Sequence, residues 1–88
     1  MSASFSWSVD TPEGTAASGQ CEFLVVPSAL GELGILADHA ALVACVVPGE
    51  LRLTASGAER TMRVGAGIVD VRENRVRLLV ASAERPPA

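Results

Sequence analysis

The chain has 88 residues, about half of them apolar, and a formal charge of −3 carried by ten acids against seven arginines, with no lysine. That length fits one domain, burying roughly 60–65% of its unfolded surface, and its apolar content is ample for one core. Aromatics are limited to Phe5, Trp7 and Phe23, too few for the stacking platforms of single-strand nucleic-acid binders. The densest arginines, Arg72, Arg75 and Arg77, are diluted by Glu73, so no basic footprint for nucleic acid is predicted.

In chain order the dominant period is two. Phe5, Trp7 and Val9 alternate with Ser6 and Ser8, a half-buried strand. The segment DTPEG then turns the chain, with Pro12 and Gly14 as breakers. TAAS reads as a weak strand ended by Gly19, and CEFLVV as a stronger one stopped by Pro27. LGIL and ALVACVV are apolar runs, the second ending at the turn dipeptide Pro48-Gly49. ELRLTAS alternates, Ser56-Gly57-Ala58 turns, and ERTMRV returns. Gly65-Ala66-Gly67 is a bend or bulge. IVDVR leads through Glu73-Asn74 into RVRLLVASA. Eight to ten short strands with turns every 8–12 residues predict an all-β fold, an antiparallel sandwich or barrel. Residues 1–88 form one domain in this reading, with disordered ends at 1–4 and 84–88. ADHAAL is given one turn of helix at most.

No leader pattern and no apolar run of about 20 residues is present, so a cytosolic protein is expected. Cys21 and Cys45 are then read as free, small, buried residues. Two cysteines and one histidine do not make a zinc set; neither metal nor cofactor is expected.

The segment GELGILADHAAL, residues 31–42, holds the candidate chemistry. Asp38 and His39 are adjacent, and adjacent residues of an extended chain point to opposite faces. No nucleophile elbow accompanies them. His39 is therefore read as structural or as an interface residue. The glycines make neither a phosphate loop nor a dinucleotide fingerprint. Gly31 and Gly34 permit positive φ or close approach, which would push Glu32 and Leu33 outward on a contact loop; a plain β-turn accounts for them equally well. Asp70 reads as a solvated strand position. Residues alone lead to a small cytosolic β-domain that binds something.

The blocks VDTPEG (9–14), VVPSALGELGILADHAAL (25–42), PGELRL (48–53) and GAGIVDVRENRVRLLVASAER (65–85) resemble, in order and spacing, the N-terminal domain of the epsilon subunit of F-type ATP synthases. The resemblance covers nearly the whole chain, and GELGIL with the following HA and Leu42 is its most specific part. It implies a flattened antiparallel β-sandwich of about ten short strands at the foot of the central stalk, bound to the gamma subunit and resting on the ring of c subunits. It implies no active site, no small-molecule ligand and no insertion into the membrane, only peripheral attachment at the cytoplasmic face. The resemblance assigns Leu30, Gly31, Glu32 and Leu33 to the c-ring contact, and Thr11, His39 and Ala44 to the gamma contact.

Several positions depart from the family pattern. Leu30 stands where the family has its first loop acid, Ala37-Asp38 replaces Pro-Gly before His39, and Asp70 replaces a Glu. Most members also carry a C-terminal helical hairpin that inhibits ATP hydrolysis and in some binds ATP. ASAERPPA stands where it would begin, so a naturally short, non-inhibiting subunit is expected. Ion choice, proton or sodium, resides in the c subunit. A free-standing β-sandwich binding module is the alternative reading.

Overall fold

The computed structural model describes residues 3–84, and among them nine strands and no helix. Alternation sorts the two faces of each strand. In β1 (Phe5–Thr11), Phe5, Trp7 and Val9 are buried while Ser6, Ser8 and Asp10 are part-exposed. The same rule governs β6 (Gly49–Ala55), which buries Leu51 and Leu53. It also governs β9 (Arg75–Val80), which buries Val76, Leu78 and Val80. The remaining strands are β2 (Gly14–Cys21), β3 (Phe23–Ser28), β4 (Gly31–Leu36), β5 (Leu42–Val46), β7 (Ala58–Val64) and β8 (Gly67–Arg72).

All nine belong to one curled sheet in the order β2-β1-β9-β8-β5-β3-β6-β7, with β4 on the other edge of β3. β3 is the corner. Its first half pairs with β6 (Leu24↔Leu53), and its end pairs with β5 (Ser28↔Val46). This folds the sheet into two layers, β2-β1-β9-β8-β5 over β4-β3-β6-β7. The ends are tied where Val64 bridges Ala83 and the Glu84 amide donates to the Arg63 carbonyl. One core fills the space between the layers, from Phe5 and Trp7 through Leu24, Leu51 and Val69 to Leu78. The shape is flattened, 34 × 30 × 22 Å.

Turn chemistry sets the hairpin registers. Ser56-Gly57 and Glu73-Asn74 both have positive φ at both positions, which matches the twist of two-residue hairpins. Asn74 has a second task. Its amide accepts from the Asp38 N–H at 2.8 Å and donates to the Ser4 carbonyl at 3.1 Å, pinning two neighbouring segments.

The structure corrects several sequence expectations. β1 and β9 run parallel (Ser6↔Arg75 to Asp10↔Leu79), because the chain returns to β1 only after crossing both layers. TAAS does not end at Gly19: β2 runs to Cys21, with Gly19 paired to Trp7 and lying against its indole. Residues 37–41 form a turn with no helix. Cys21 is buried as expected, but Cys45 is exposed, because β5 has only one face toward the core. Ala3, Ser4 and Glu84 are placed, whereas the rest of the expected disordered ends lies outside the described residues.

Candidate functional site

The segment 31–36 is a strand rather than a loop. Gly31, with φ +110°, closes the two-residue hairpin from β3, and Ser28 braces it by accepting the Leu30 N–H at 3.3 Å and donating to the Gly31 carbonyl. This lifts Leu30 to the tip, where 98% of it is exposed. From Gly31 onward strand alternation takes over. Glu32 points out and pairs with Arg52 at 3.0 Å, while Leu33 turns in and packs against the core. The expectation that both residues point outward thus holds for Glu32 alone. Gly34 provides a close approach, with the Phe23 ring edge 3.3 Å from where its Cβ would stand.

Register fixes which ends the other residues occupy. Ser28 aligns with Val46, Val46 with Gly67, and Gly67 with Val80. Asp10 aligns with Leu79, so Thr11 and the β1–β2 turn lie at the same end as the β3–β4 hairpin. The Thr11 hydroxyl organises that turn, accepting the Glu13 N–H at 3.2 Å and donating to the Gly14 carbonyl at 3.1 Å. Beside it an open groove of about 410 Å³ is lined by Pro12, Leu79 and Ala81. His39 lies at the opposite end, its Nδ1 donating to the Ala40 carbonyl at 2.8 Å. Ala44 sits midway, opposite Val69, half-buried with its methyl toward the core. The structure therefore brings Leu30, Gly31, Glu32 and Thr11 to one end and separates Thr11 from His39 by the length of a strand.

Besides the outer edges of β2 and β7, the sandwich is open on the side of β4 and β5. β4 pairs only with β3, and β5, beyond its β8 partner, is bonded only at its last residues, through Ser28–Val46 and the neighbouring Ala29–Cys45 and Val47–Pro27 bonds. Among the described residues, Leu42 to Ala44 have no ladder partner on that edge. Leu33, Leu42 and Ala44 fill the gap half-buried, and the link 37–41, with His39, closes it at one end. Free strand edges are templates for another chain.

Around this edge lies an apolar face, of which the sequence signals the β5 part. Val43 is 66% exposed, and Cys45, Ile68 and Leu79 form an outward row across three strands through the pairs Cys45↔Ile68 and Ile68↔Leu79. The signal was present: ALVACVV is apolar at both parities, and Leu79 breaks the arginine alternation of RVRLLV. Among the described residues no group of three His, Cys, Asp or Glu could hold a metal, and no helix is long and apolar enough to cross a membrane. One thiol is perturbed. Burial first, and then the Glu22 carboxylate, push Cys21 up from 9.0 to about 11, against the lowering effect of a backbone hydrogen bond from Phe23.

Residues 4–86 match the family model for the ATP synthase delta/epsilon chain, beta-sandwich domain. The chain belongs to this family. It is 36% identical over 84 residues to an ATP synthase epsilon chain of Desulfitobacterium hafniense, covering 96% of this chain and 64% of that one. With the epsilon chain of Shouchella clausii the identity is 42% over 79 residues, covering 90% and 59%. The delta/epsilon match thus spans under two thirds of the length of these relatives. Two solved structures share the fold. A chain of the Euglena gracilis mitochondrial ATP synthase (OSCP/F1/c-ring) superposes with TM-score 0.83 at 19% identity, covering 91% of this chain and 51% of that one. A chain of the Tetrahymena thermophila mitochondrial ATP synthase central stalk and c-ring gives 0.75 at 16%, covering 91% and 65%.

Proposed function

We propose that this domain is a non-catalytic rotor element of an F-type ATP synthase, seated between the gamma subunit and the c-ring, where it helps couple ion flow to ATP synthesis. The observation that carries the reading is the unfinished side of the sandwich. The free edges of β4 and β5 adjoin the apolar row of Val43, Cys45, Ile68 and Leu79. A lone sandwich would blunt such an edge with charge or cover it; here it offers a partner both backbone and apolar contact. In this reading gamma covers that side, touching His39, the rim of Ala44 and, at the far end, Thr11.

The β3–β4 hairpin meets the c-ring with Leu30, Gly31 and Glu32, while Leu33 supports the loop from inside. The sandwich attaches at the cytoplasmic face of the membrane through these subunits. In the same reading it supports coupling without inhibiting hydrolysis.

The test is a pull-down of the chain with gamma from the same source, followed by an ATPase assay with the alpha-beta hexamer. One-to-one binding with unchanged hydrolysis is the expected outcome. Failure to bind gamma would leave a family fold in another employment.

A further inference from the structure

Beyond the apolar row, the outer face of the β1-β9-β8-β5 layer changes character. Arg72 stands directly opposite Arg75 across the β8–β9 pair, and Asp70 opposite Arg77. Together these four residues bound an open depression of about 230 Å³. Like charges directly opposed on a sheet repel. Two of the three guanidinia are answered within the chain. Arg72 holds Asp70 with two contacts, at 3.2 and 3.4 Å, and Arg77 reaches Asp10 at 3.6 Å. Arg75 has no carboxylate partner among the described residues.

The charges are also layered. The Asp70 and Asp10 side chains are 24% and 19% exposed, whereas their partners Arg72 and Arg77 are 67% and 48% exposed. An approaching group meets guanidinium first. Arg75 further borders a neighbouring groove of about 360 Å³ whose other lining includes Ser6, Ser8, Ser18 and Gln20, all neutral and able to donate hydrogen bonds.

We propose that this arginine depression receives acidic side chains of the gamma subunit, with Arg75 as the principal contact. The proposal rests on the rotor reading above and names the chemistry of the partner's surface. The guanidinium fork suits carboxylates, which it binds through paired N–H donors. The site is continuous with the proposed gamma side. Leu42 pairs with Val71, which sets Arg72 beside position 41, and Arg75 and His39 line one crevice with Asn74. The chain's net charge of −3 gives no general attraction for anions, so the fit is local and short. That favours a few carboxylates over nucleic acid, whose affinity needs an extended basic footprint.

The experiment measures binding of purified gamma to the full chain and to its Arg75→Glu, Arg75→Gln and Val43→Asp variants at low and high salt. Thermal unfolding checks the fold of each variant; Arg75 is exposed and its replacement leaves that transition in place. Arg75→Glu is expected to weaken binding by about tenfold or more, Arg75→Gln by less, with a reduced salt dependence in both. Val43→Asp weakens binding without losing that salt dependence. If Val43→Asp abolishes binding while Arg75→Glu binds like the parent, the rotor reading stands and the acidic complement is overturned. If neither variant affects a tight complex, the proposed gamma side is itself wrong. Arg75-dependent binding of inorganic phosphate with no effect on gamma would assign the depression to free anions and overturn the proposal.

Discussion

Glu32 and Arg52 meet at 3.0 Å on the outside of β3, so the acid beside the hairpin tip is answered by the chain's own arginine. Both side chains are well exposed to solvent, and such a pair contributes no more than about 1 kcal/mol. Glu32→Gln is therefore expected to change stability by less than that. Under the rotor reading it also disturbs the c-ring contact little, because the ring meets an ion pair and not a bare carboxylate. Leu30→Asp should do more harm, replacing the most exposed apolar side chain by a charge. Retention of the two variants on c-ring vesicles carrying gamma decides it: a larger defect for Glu32→Gln would make the acid, and not the leucine, the contact.

Ala44 and Val43 separate folding from binding. Ala44→Arg forces a long cation toward the core side of β5, where Ala44 packs beside Val69, and is expected to destabilise by about 1–3 kcal/mol as well as to weaken gamma. Val43 points out, so Val43→Asp should leave unfolding within about 0.5 kcal/mol of the parent and still weaken gamma. Denaturant melts alongside gamma titrations test this pair. A folded Val43→Asp variant with full affinity would remove the outer face of β5 from the contact.

The two cysteines should behave as opposites. Cys45 is exposed and is expected to label rapidly with a maleimide, whereas buried Cys21 labels only on unfolding. A bound gamma subunit should protect Cys45. Cys21 also gives a pH signature. Its thiol is pushed up to about 11 in the folded chain, against 9.0 ordinarily. Between those values the unfolded chain has lost a proton that the folded chain keeps, so stability falls as pH rises through that window. The loss approaches about 3 kcal/mol. Cys21→Ala should flatten this slope, whatever its cost at neutral pH. Melts below pH 9 and near pH 11 measure it.

Gly67 is the backbone position least tolerant of a side chain. A Cβ there would stand 1.9 Å from the Leu79 carbonyl oxygen and 2.7 Å from the Val80 Cα, both rigid parts of the paired strand β9. Gly67→Ala is expected to cost about 3 kcal/mol or more. At Gly31 space is open and only the φ of +110° resists, so Gly31→Ala should cost about 1–2 kcal/mol. Equilibrium unfolding of both variants checks the order.

How much of this was legible depends on the range of each interaction. Alternation in FSWSV and RVRLLV identified strands and their buried faces, because a period of two is written in neighbours. The hairpins at Ser56-Gly57 and Glu73-Asn74 were equally local. The parallel pairing of β1 with β9 was not, since it joins segments nearly a whole chain apart. The inward turn of Leu33 follows from the same alternation once 31–36 is a strand, whereas the exposure of Cys45 depends on which layer covers β5, and no nearby residue records that. Within the candidate site, the resemblance named residues 30–33, which the structure forms into the tip and first residues of the β3–β4 hairpin. The apolar row and the arginine depression arise only when three strands are laid side by side.

The parallel seam between β1 and β9 also bears on synthesis at the ribosome. β1 emerges early and finds β2 at once, but its other edge has no partner until Arg75 to Leu79 have left the exit tunnel. Until then the backbone edge of β1 beside Trp7 and Val9 stays open. Nascent chains stalled short of residue 80 should stay open to protease, and those released beyond it should become resistant together. The sandwich is thus built to complete in one late step, at its first strand rather than its last.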